Sequence, residues 1–147
     1  MKNEVLLVAE DDASDALLLE LSLRRTGSHF RMIRVANGEE AIDYVEGRGV
    51  YGNRAMHPVP HVVLLDLKMP GKDGFAVLRW RRENLHSALP MIVFSSSNLR
   101  GDVEKAYALG ANSFVVKPTA PERLDAMVKS LYHWWVDFNL PVTSTRA

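Results

Sequence analysis

One stretch constrains the fold more than any other: residues 62–74, which read V-V-L-L-D-L-K-M-P-G-K-D-G. Its apolar run stops abruptly at a carboxylate, Asp66. A short run rich in β-branched residues and bounded by turn signals is typical of a strand buried on both faces. The proline and glycines that follow turn the chain. We therefore expect Asp66 at the carboxyl end of a central parallel strand, at the edge where open α/β sheets bind ligands.

Four other short apolar runs alternate with segments of helical periodicity. Together with the run before Asp66 they predict five strands, at residues 4–9, 30–35, 62–65, 90–94 and 113–116. The first helix is expected to begin at Asp12 or Ser14 and to close at Gly27. The others are predicted at residues 39–46, 74 to about 84, 101–109 and about 120–138. This alternation predicts an α/β fold, a parallel sheet covered on both faces, with residues 47–61 as a loop.

Three helix predictions depend on particular side chains. Leucines should form the buried face of the first helix, mainly Leu17, Leu18 and Leu21, and less regularly Leu19 and Leu23. The last helix should open with a capping box, since Thr119 and Glu122 have the required spacing. In the third helix, Arg81 falls where the inward stripe requires an apolar residue. This arginine either extends its charged end to solvent or marks a contact.

Composition excludes several classes of protein. The 147 residues suffice for one domain with a real core, and the 18 basic and 18 acidic residues balance to a formal net charge of zero. Nucleic-acid binding, which requires a basic surface, is therefore not expected. The chain has no cysteine, so thiol chemistry and disulfides are excluded. No signal peptide and no membrane-length apolar run is present, and we expect a cytoplasmic protein without a membrane partner.

Polar residues follow four of the predicted strands: Glu10 and Asp11 after the first, Asp66 after the third, Ser95 after the fourth and Lys117 after the fifth. In a parallel sheet these ends share one edge, so the side chains can converge. Three close carboxylates repel one another unless a cation lies between them, and oxygen ligands without cysteine favour Mg²⁺. A lysine and a hydroxyl opposite such an ion would bind a phosphoryl group. A carboxylate can then act as the nucleophile that forms an aspartyl phosphate.

These motifs resemble those of the receiver domains of two-component response regulators, over roughly residues 4–135. The segment V-A-E-D-D places Glu10 and Asp11 at the family's two acidic positions. The segment L-L-D-L-K-M-P-G-K-D-G resembles the phosphoacceptor segment, which implies phosphorylation at Asp66. The fourth strand resembles the one that ends in the family's switch Ser/Thr, here Ser95, and V-V-K-P places Lys117 at the family's lysine.

The resemblance implies a Mg²⁺-dependent phosphorylation switch. Asp11, Asp66 and the main-chain carbonyl of Lys68 would hold Mg²⁺, and Glu10 would act through water. Asp66 would take a phosphoryl group from a sensor histidine kinase or a phosphotransfer protein, and Lys117 would pair with the phosphate. The implied fold is flavodoxin-like, with strand order 2-1-3-4-5, and an extended C-terminal helix completes it.

The resemblance also implies a conformational response. Ser95 would move to bond the phosphate and Phe114 would turn inward, so that phosphorylation biases a two-state surface on the fourth helix, fifth strand and fifth helix. In this family the peptide bond before the proline at position 118 is cis.

Two features resemble the stand-alone receivers paired with bacterial phytochromes, known best from cyanobacteria. They are the long loop at residues 47–61 and the extended last helix with its W-W-V-D-F-N-L-P ending. A phytochrome is therefore the candidate kinase. Apolar residues on more than one face of the last helix predict a homodimer through the C-terminal half. We expect a single receiver domain at residues 1–140, a loose tail at 141–147 and no output domain.

Two alternatives differ from the switch in class. A Mg²⁺-dependent aspartyl phosphohydrolase usually carries a second carboxylate two residues after its nucleophile, where this chain has Lys68. A receiver-like interaction module would act without phosphorylation, but all five phosphorylation positions are occupied here. We therefore expect a protein that catalyses only its own phosphorylation and dephosphorylation.

Overall fold

A computed structural model of the chain describes residues 4–84, 86 and 88–141. It contains one five-stranded parallel sheet with the spatial order β2-β1-β3-β4-β5. In chain order the elements are β1 (Glu4–Ala9), α1 (Ala13–Arg25), β2 (Phe30–Val35), α2 (Gly38–Glu46), β3 (Val62–Leu65), α3 (Gly74–Glu83), β4 (Met91–Ser95), α4 (Arg100–Ala108), β5 (Ser113–Val116) and α5 (Pro121–Tyr132). The predicted α/β fold is confirmed. Nearly all of the predicted tail lies outside the described residues.

The central strands are apolar at every position because helices cover both faces of the sheet. Along β3, Val63 and Leu65 point into the core cluster that includes side chains of α2, α3 and α4. Val62 and Leu64 point into a second cluster, shared with α1 and α5. Side chains alternate between the faces of a strand, so a run of four buried residues requires a core on each side. The sheet is thereby held between two helical layers, and its carboxyl edge remains open.

The predicted buried face of α1 was wrong for its three main leucines, although Leu19 and Leu23, the two less regular ones, are buried. Leu17, Leu18 and Leu21 are 53%, 57% and 41% exposed, whereas the helix buries Ala16, Leu19, Ser22 and Leu23. Leucines occur on every side of this helix, so apolar periodicity alone does not determine which side faces the sheet. The buried Ser22 hydroxyl donates to Asp125 of α5 at 2.6 Å, which satisfies the polar group inside the α1–α5 contact.

Two smaller expectations were also wrong. The N-cap residue of α5 is Ala120, without a side-chain cap bond, and Pro121 occupies the first turn. Proline is already suited to that position because its fixed φ is helical and it has no N–H to satisfy, so a Thr119 capping box does not form. No cis peptide bond occurs among the described residues, including the bond before Pro118; the trans isomer is the lower-energy form of an X–Pro bond.

The chain continues beyond α5 as a segment of π-helix, His133–Phe138. Trp135 and Val136 pack partly against the core cluster shared by α1 and α5. Trp134, Phe138 and Leu140 are 62%, 75% and 90% exposed. The long connection at residues 47–61 contains a short 3₁₀ turn, Gly49–Tyr51, and is otherwise irregular. No helix in the described ranges combines the length and the apolar content needed to cross a membrane.

Candidate functional site

The sheet register brings the polar strand ends together. Ala9 of β1 lies beside Leu65 of β3, so Glu10 and Asp66, the next residues of the two strands, leave the sheet at the same level. Backbone bonds continue the ladder past the strands, since the Asp66 amide donates to the Ala9 carbonyl at 3.1 Å. The Lys117 amide likewise donates to the Ser95 carbonyl at 2.8 Å. Side chains far apart in sequence therefore line one open cleft of about 480 Å³.

Lys117 is the electrostatic centre of this cleft. Its ammonium nitrogen lies 2.6 Å from Glu10, 2.8 Å from Asp15 and 3.1 Å from Asp66. The lysine side chain is only 12% exposed, and those of Glu10 and Asp66 are 3% and 10% exposed. A buried ammonium group is stable only when it is paired and hydrogen-bonded. The three carboxylates satisfy that requirement and hold the lysine ammonium beside Asp66.

Burial and neighbouring charges have different net effects on the pKa values of Glu10 and Lys117. Burial raises the pKa of Glu10 to about 7, and the nearby Asp66 charge adds to this effect, although the bond from Lys117 opposes it. Burial by itself lowers the pKa of Lys117, but its bonds to Asp15 and Glu10 and the charge of Asp66 raise that pKa above its usual value. The lysine responds to three carboxylates at once, whereas Glu10 receives one ammonium bond that does not offset its desolvation. The lysine is therefore firmly protonated, and Glu10 is the group that titrates near neutrality.

Three carboxylates can hold a cation at this edge. Oxygen atoms of Glu10, Asp11 and Asp66 all lie within 4.8 Å of one another, with Asp11 exposed and the other two buried. Such an all-oxygen set suits a hard divalent cation, which would also offset the mutual repulsion of the acids. Lys68 lines the same cleft. The acidic cluster can therefore bind a divalent metal.

The loop after β4 links this cleft to α4. Ser95 is 1% exposed, and its hydroxyl oxygen accepts a bond from the Ser97 amide at 3.2 Å. The Ser97 hydroxyl in turn donates to Asp102, in the first turn of α4, at 2.6 Å. On β5, Phe114 packs partly against the core, and its amide donates to the Tyr107 hydroxyl of α4 at 3.1 Å. Ser95 and Phe114 thus both connect to α4, by separate routes.

Two residues of the site escaped the sequence prediction. Arg34 of β2 donates to the backbone carbonyls of Glu10 at 2.9 Å and Asp11 at 3.1 Å, and so fixes the acidic loop. Asp15, in the first turn of α1, bonds to Lys117 across 102 positions of sequence. An acid in the first turn of a helix has a local explanation in the helix dipole, so no signal in the sequence identifies it as part of the cleft.

A five-stranded parallel sheet with this order, carrying carboxylates and a buried lysine at its carboxyl edge, defines a doubly wound α/β protein, a class that binds its ligands at the carboxyl ends of the strands, at a topological switch point. Residues 6–129 match the family model described as response regulator receiver domain. The chain belongs to the response regulator receiver family. It is a phosphoryl-accepting regulator, not a member of a known catalytic enzyme family.

Three solved structures are similar over nearly the whole chain. The response regulator RPA3017 in red light signaling of R. palustris is 33% identical, with a TM-score of 0.89, covering 96% of this chain and 99% of that one. The phosphorylated cyanobacterial phytochrome response regulator RcpA is 26% identical, with a TM-score of 0.85, over 97% of this chain and 100% of that one. The Mn²⁺-bound form of Rcp1, from Synechocystis, is 28% identical, with a TM-score of 0.81, over 95% of this chain and 99% of that one.

Proposed function

We propose that Asp66 is the phosphoacceptor of a phosphorylation switch. The observation that carries this proposal is the bond from Lys117 to Asp66 at 3.1 Å, inside a cleft that also contains Ser95. One carboxylate oxygen of Asp66 would attack phosphorus as the bond to the donor breaks, and the donor would leave with the bonding electron pair. The Lys117 ammonium would stabilise the negative charge on the phosphoryl oxygens during transfer.

The metal in this proposal is Mg²⁺. Asp11, Asp66 and the Lys68 carbonyl would coordinate it, and Glu10 would contact it through water. The ion would neutralise charge on the phosphoryl oxygens, which is its general role in phosphoryl transfer. Support comes from the oxygen-only cluster of this chain and from the Mn²⁺-bound form of Rcp1. The protein would catalyse only its own phosphorylation and dephosphorylation.

The phosphoryl donor in this proposal is a sensor histidine kinase, with a phytochrome as the candidate, in the cytoplasm. The similar proteins RPA3017 and RcpA carry red light signaling and phytochrome in their descriptions. The exposed leucines of α1 would offer a docking surface for a kinase helix. Leu18 and Leu21 line a groove with Pro118 of the β5–α5 connection and Pro121, the first residue of α5. This groove lies beside the cleft, so a helix bound there could place its phosphohistidine over Asp66.

We also propose that phosphorylation acts through the α4–β5–α5 side of the molecule. Ser95 would turn to the phosphate, and its loop would pull on α4 through the Ser97–Asp102 bond. Phe114 would move inward at the same time. The response is a shift between two packings of this surface, with no change of fold.

Homodimerisation through the C-terminal half completes the proposal. Trp134 and Phe138 are exposed on the π-helical segment His133–Phe138, Leu140 is exposed just after it, and Val116 of β5 is 44% exposed on the edge strand. Large exposed aromatic side chains are enriched at protein interfaces. In sedimentation or light-scattering measurements we expect a dimer, and Trp134→Ser combined with Phe138→Ser should yield a monomer. A wild-type monomer at micromolar concentration, with and without phosphate, would exclude the dimer.

Intact mass after incubation with acetyl phosphate and Mg²⁺ tests the phosphoacceptor. We expect one added phosphate on the wild type and none on Asp66→Asn. Asp73→Asn is the matched control, because Asp73 is the N-cap of α3 in the same loop and asparagine caps equally well. Phosphate on Asp66→Asn would exclude Asp66 as the acceptor. A folded wild type that takes up no phosphate would favour the phosphorylation-independent interaction module.

A further inference from the structure

The ammonium group of Lys117 has no donor to spare in this structure. A protonated lysine has three N–H groups, and the three contacts to Glu10, Asp15 and Asp66 account for all of them. A phosphoryl group on Asp66 brings additional acceptor oxygens and about one further negative charge at neutral pH. To bond those oxygens, Lys117 must release one of its present contacts.

The contact with Asp15 is the least costly to release. The Glu10 side chain is 3% exposed, so removal of the lysine would leave a buried carboxylate without its cationic partner. The Asp15 side chain is 36% exposed, and water can replace the lysine there. Asp66 itself carries the incoming group, so the lysine remains near it. The three contacts have similar lengths, but they differ in how costly it is for Lys117 to leave them.

The position of Asp15 is set independently of the lysine. Asp15 belongs to the first turn of α1, and its backbone amide donates to the capping carboxylate of Asp12 at 3.1 Å. The Asp15 carboxylate points from this anchored turn across the cleft to Lys117. Because the helix turn is capped locally, the Asp15 carboxylate is free to act on the lysine without being required for the helix.

We propose that Asp15 is a positioning residue that holds Lys117 in the resting protein and competes with the incoming phosphoryl group for the ammonium. The competition slows phosphorylation of Asp66. Lys117 leaves Asp15 as its ammonium group moves to the phosphate. This inference rests on the proposed phosphorylation of Asp66. Asp15, which lies outside the predicted site, thereby has a direct effect on the rate of phosphorylation.

Phosphorylation rates of Asp15→Asn and Asp12→Asn test the proposal. Both substitutions remove one negative charge from the rim of the same cleft, and asparagine preserves the cap at position 12, but only Asp15 touches the lysine. With acetyl phosphate and Mg²⁺, we expect Asp15→Asn to be phosphorylated up to about fivefold faster than the wild type, which corresponds to ~1 kcal/mol. The increase should persist at about 0.5 M salt, where effects of exposed charges are screened, whereas any effect of Asp12→Asn should disappear.

A spectroscopic readout follows the lysine itself. In ¹⁵N–¹H spectra of the ammonium group, the Lys117 signal should shift in Asp15→Asn and stay near its wild-type position in Asp12→Asn. Circular dichroism and the thermal midpoint confirm that both variants are folded. Three results would overturn the role of Asp15 while leaving the proposed function intact. They are equal phosphorylation rates for the two variants at high salt, slower phosphorylation of Asp15→Asn than of the wild type, or an unchanged Lys117 signal. A wild type that takes no phosphate would instead refute the proposed function, while the ammonium spectrum would still report on the pair.

Discussion

Arg81 provides the most informative test of how this fold is held together. Arg81 is 4% exposed, and its guanidinium donates to the Leu89 carbonyl at 2.7 Å, to the Asn112 side-chain oxygen at 2.8 Å and, in a short contact, to the Gly110 carbonyl. Burial lowers the pKa of this guanidinium, which nevertheless remains protonated. No carboxylate pairs with it among the described residues. A charged side chain on the inward stripe of α3 thus connects that helix to the end of α4 and the start of β5.

The substitution Arg81→Met keeps most of the aliphatic volume and removes every donor. The Asn112 oxygen remains satisfied, because it also accepts from the Met91 amide at 2.9 Å. The carbonyls of Leu89 and Gly110 lose their guanidinium donor, at about 1–3 kcal/mol each. Relief from burying an unpaired charge offsets part of that loss. We therefore expect the free energy of unfolding to fall by about 3 kcal/mol, a large part of the roughly 5–15 kcal/mol typical of a domain.

Urea denaturation measures this loss. The midpoint should fall while the slope with denaturant is unchanged, since the surface exposed on unfolding is the same, and the thermal midpoint should drop by roughly 6–12 °C. Arg82→Met is the matched control: Arg82 is exposed and, among the described residues, makes one bond, to the Ala108 carbonyl at 3.2 Å, so we expect a change below about 0.5 kcal/mol. If the two variants have equal stability, or if Arg81→Met is more stable than the wild type, the reasoning fails.

Three further predictions concern the packing of α1, the segment between Asp66 and α3, and the dependence of stability on pH. Leu19→Ala should lower the free energy of unfolding by about 2–5 kcal/mol because Leu19 is 1% exposed. The control Leu18→Ala should change that free energy by less than about 0.5 kcal/mol. Equal losses of stability in urea denaturation would contradict the observed buried face of α1. Gly74→Ala should destabilise the protein and slow phosphorylation, since the new Cβ would overlap the Asp66 carbonyl oxygen and lie 2.9 Å from Leu67 Cα; a variant with normal stability and rate would show that the loop can yield. In the folded protein Glu10 binds its proton more tightly, so its contribution to the stability of the metal-free protein should be fully present below pH of about 4.5 and be lost as pH rises through about 7. The difference in unfolding free energy between wild type and Glu10→Gln, measured across this range, should show that loss. A difference that stays constant with pH would contradict the prediction.

Local sequence was sufficient for the strands that build the site. The run before Asp66 and the run before Glu10 were predicted with the bounds that the structure shows, because a strand buried on both faces must be apolar at consecutive positions. Parallel pairing then brings the strand ends to one edge whatever the details of packing. The positions of Asp66 and Lys117 in one cleft could therefore be predicted without any tertiary information.

Helix orientation could not be predicted in the same way. A leucine-rich helix such as α1 presents apolar residues in every direction, and the side facing the sheet is chosen by its fit to α5. The buried Ser22, bonded to Asp125, belongs to that fit. Arg81 shows the converse case, since its position on the inward stripe suggested either exposure or a contact. Its acceptors, the Leu89 carbonyl before β4 and the Asn112 side chain before β5, come together only in the tertiary structure.

The order of elements and the chemistry at the strand ends follow from the sequence alone, because both depend on residues that are near one another in the chain. The pairing of charges among those groups depends on how the helices pack against the sheet. Asp15 lies 102 positions from Lys117, and no local pattern relates them. Their bond exists because α1 packs with its first turn beside the carboxyl edge of the sheet, within reach of the buried Lys117 ammonium.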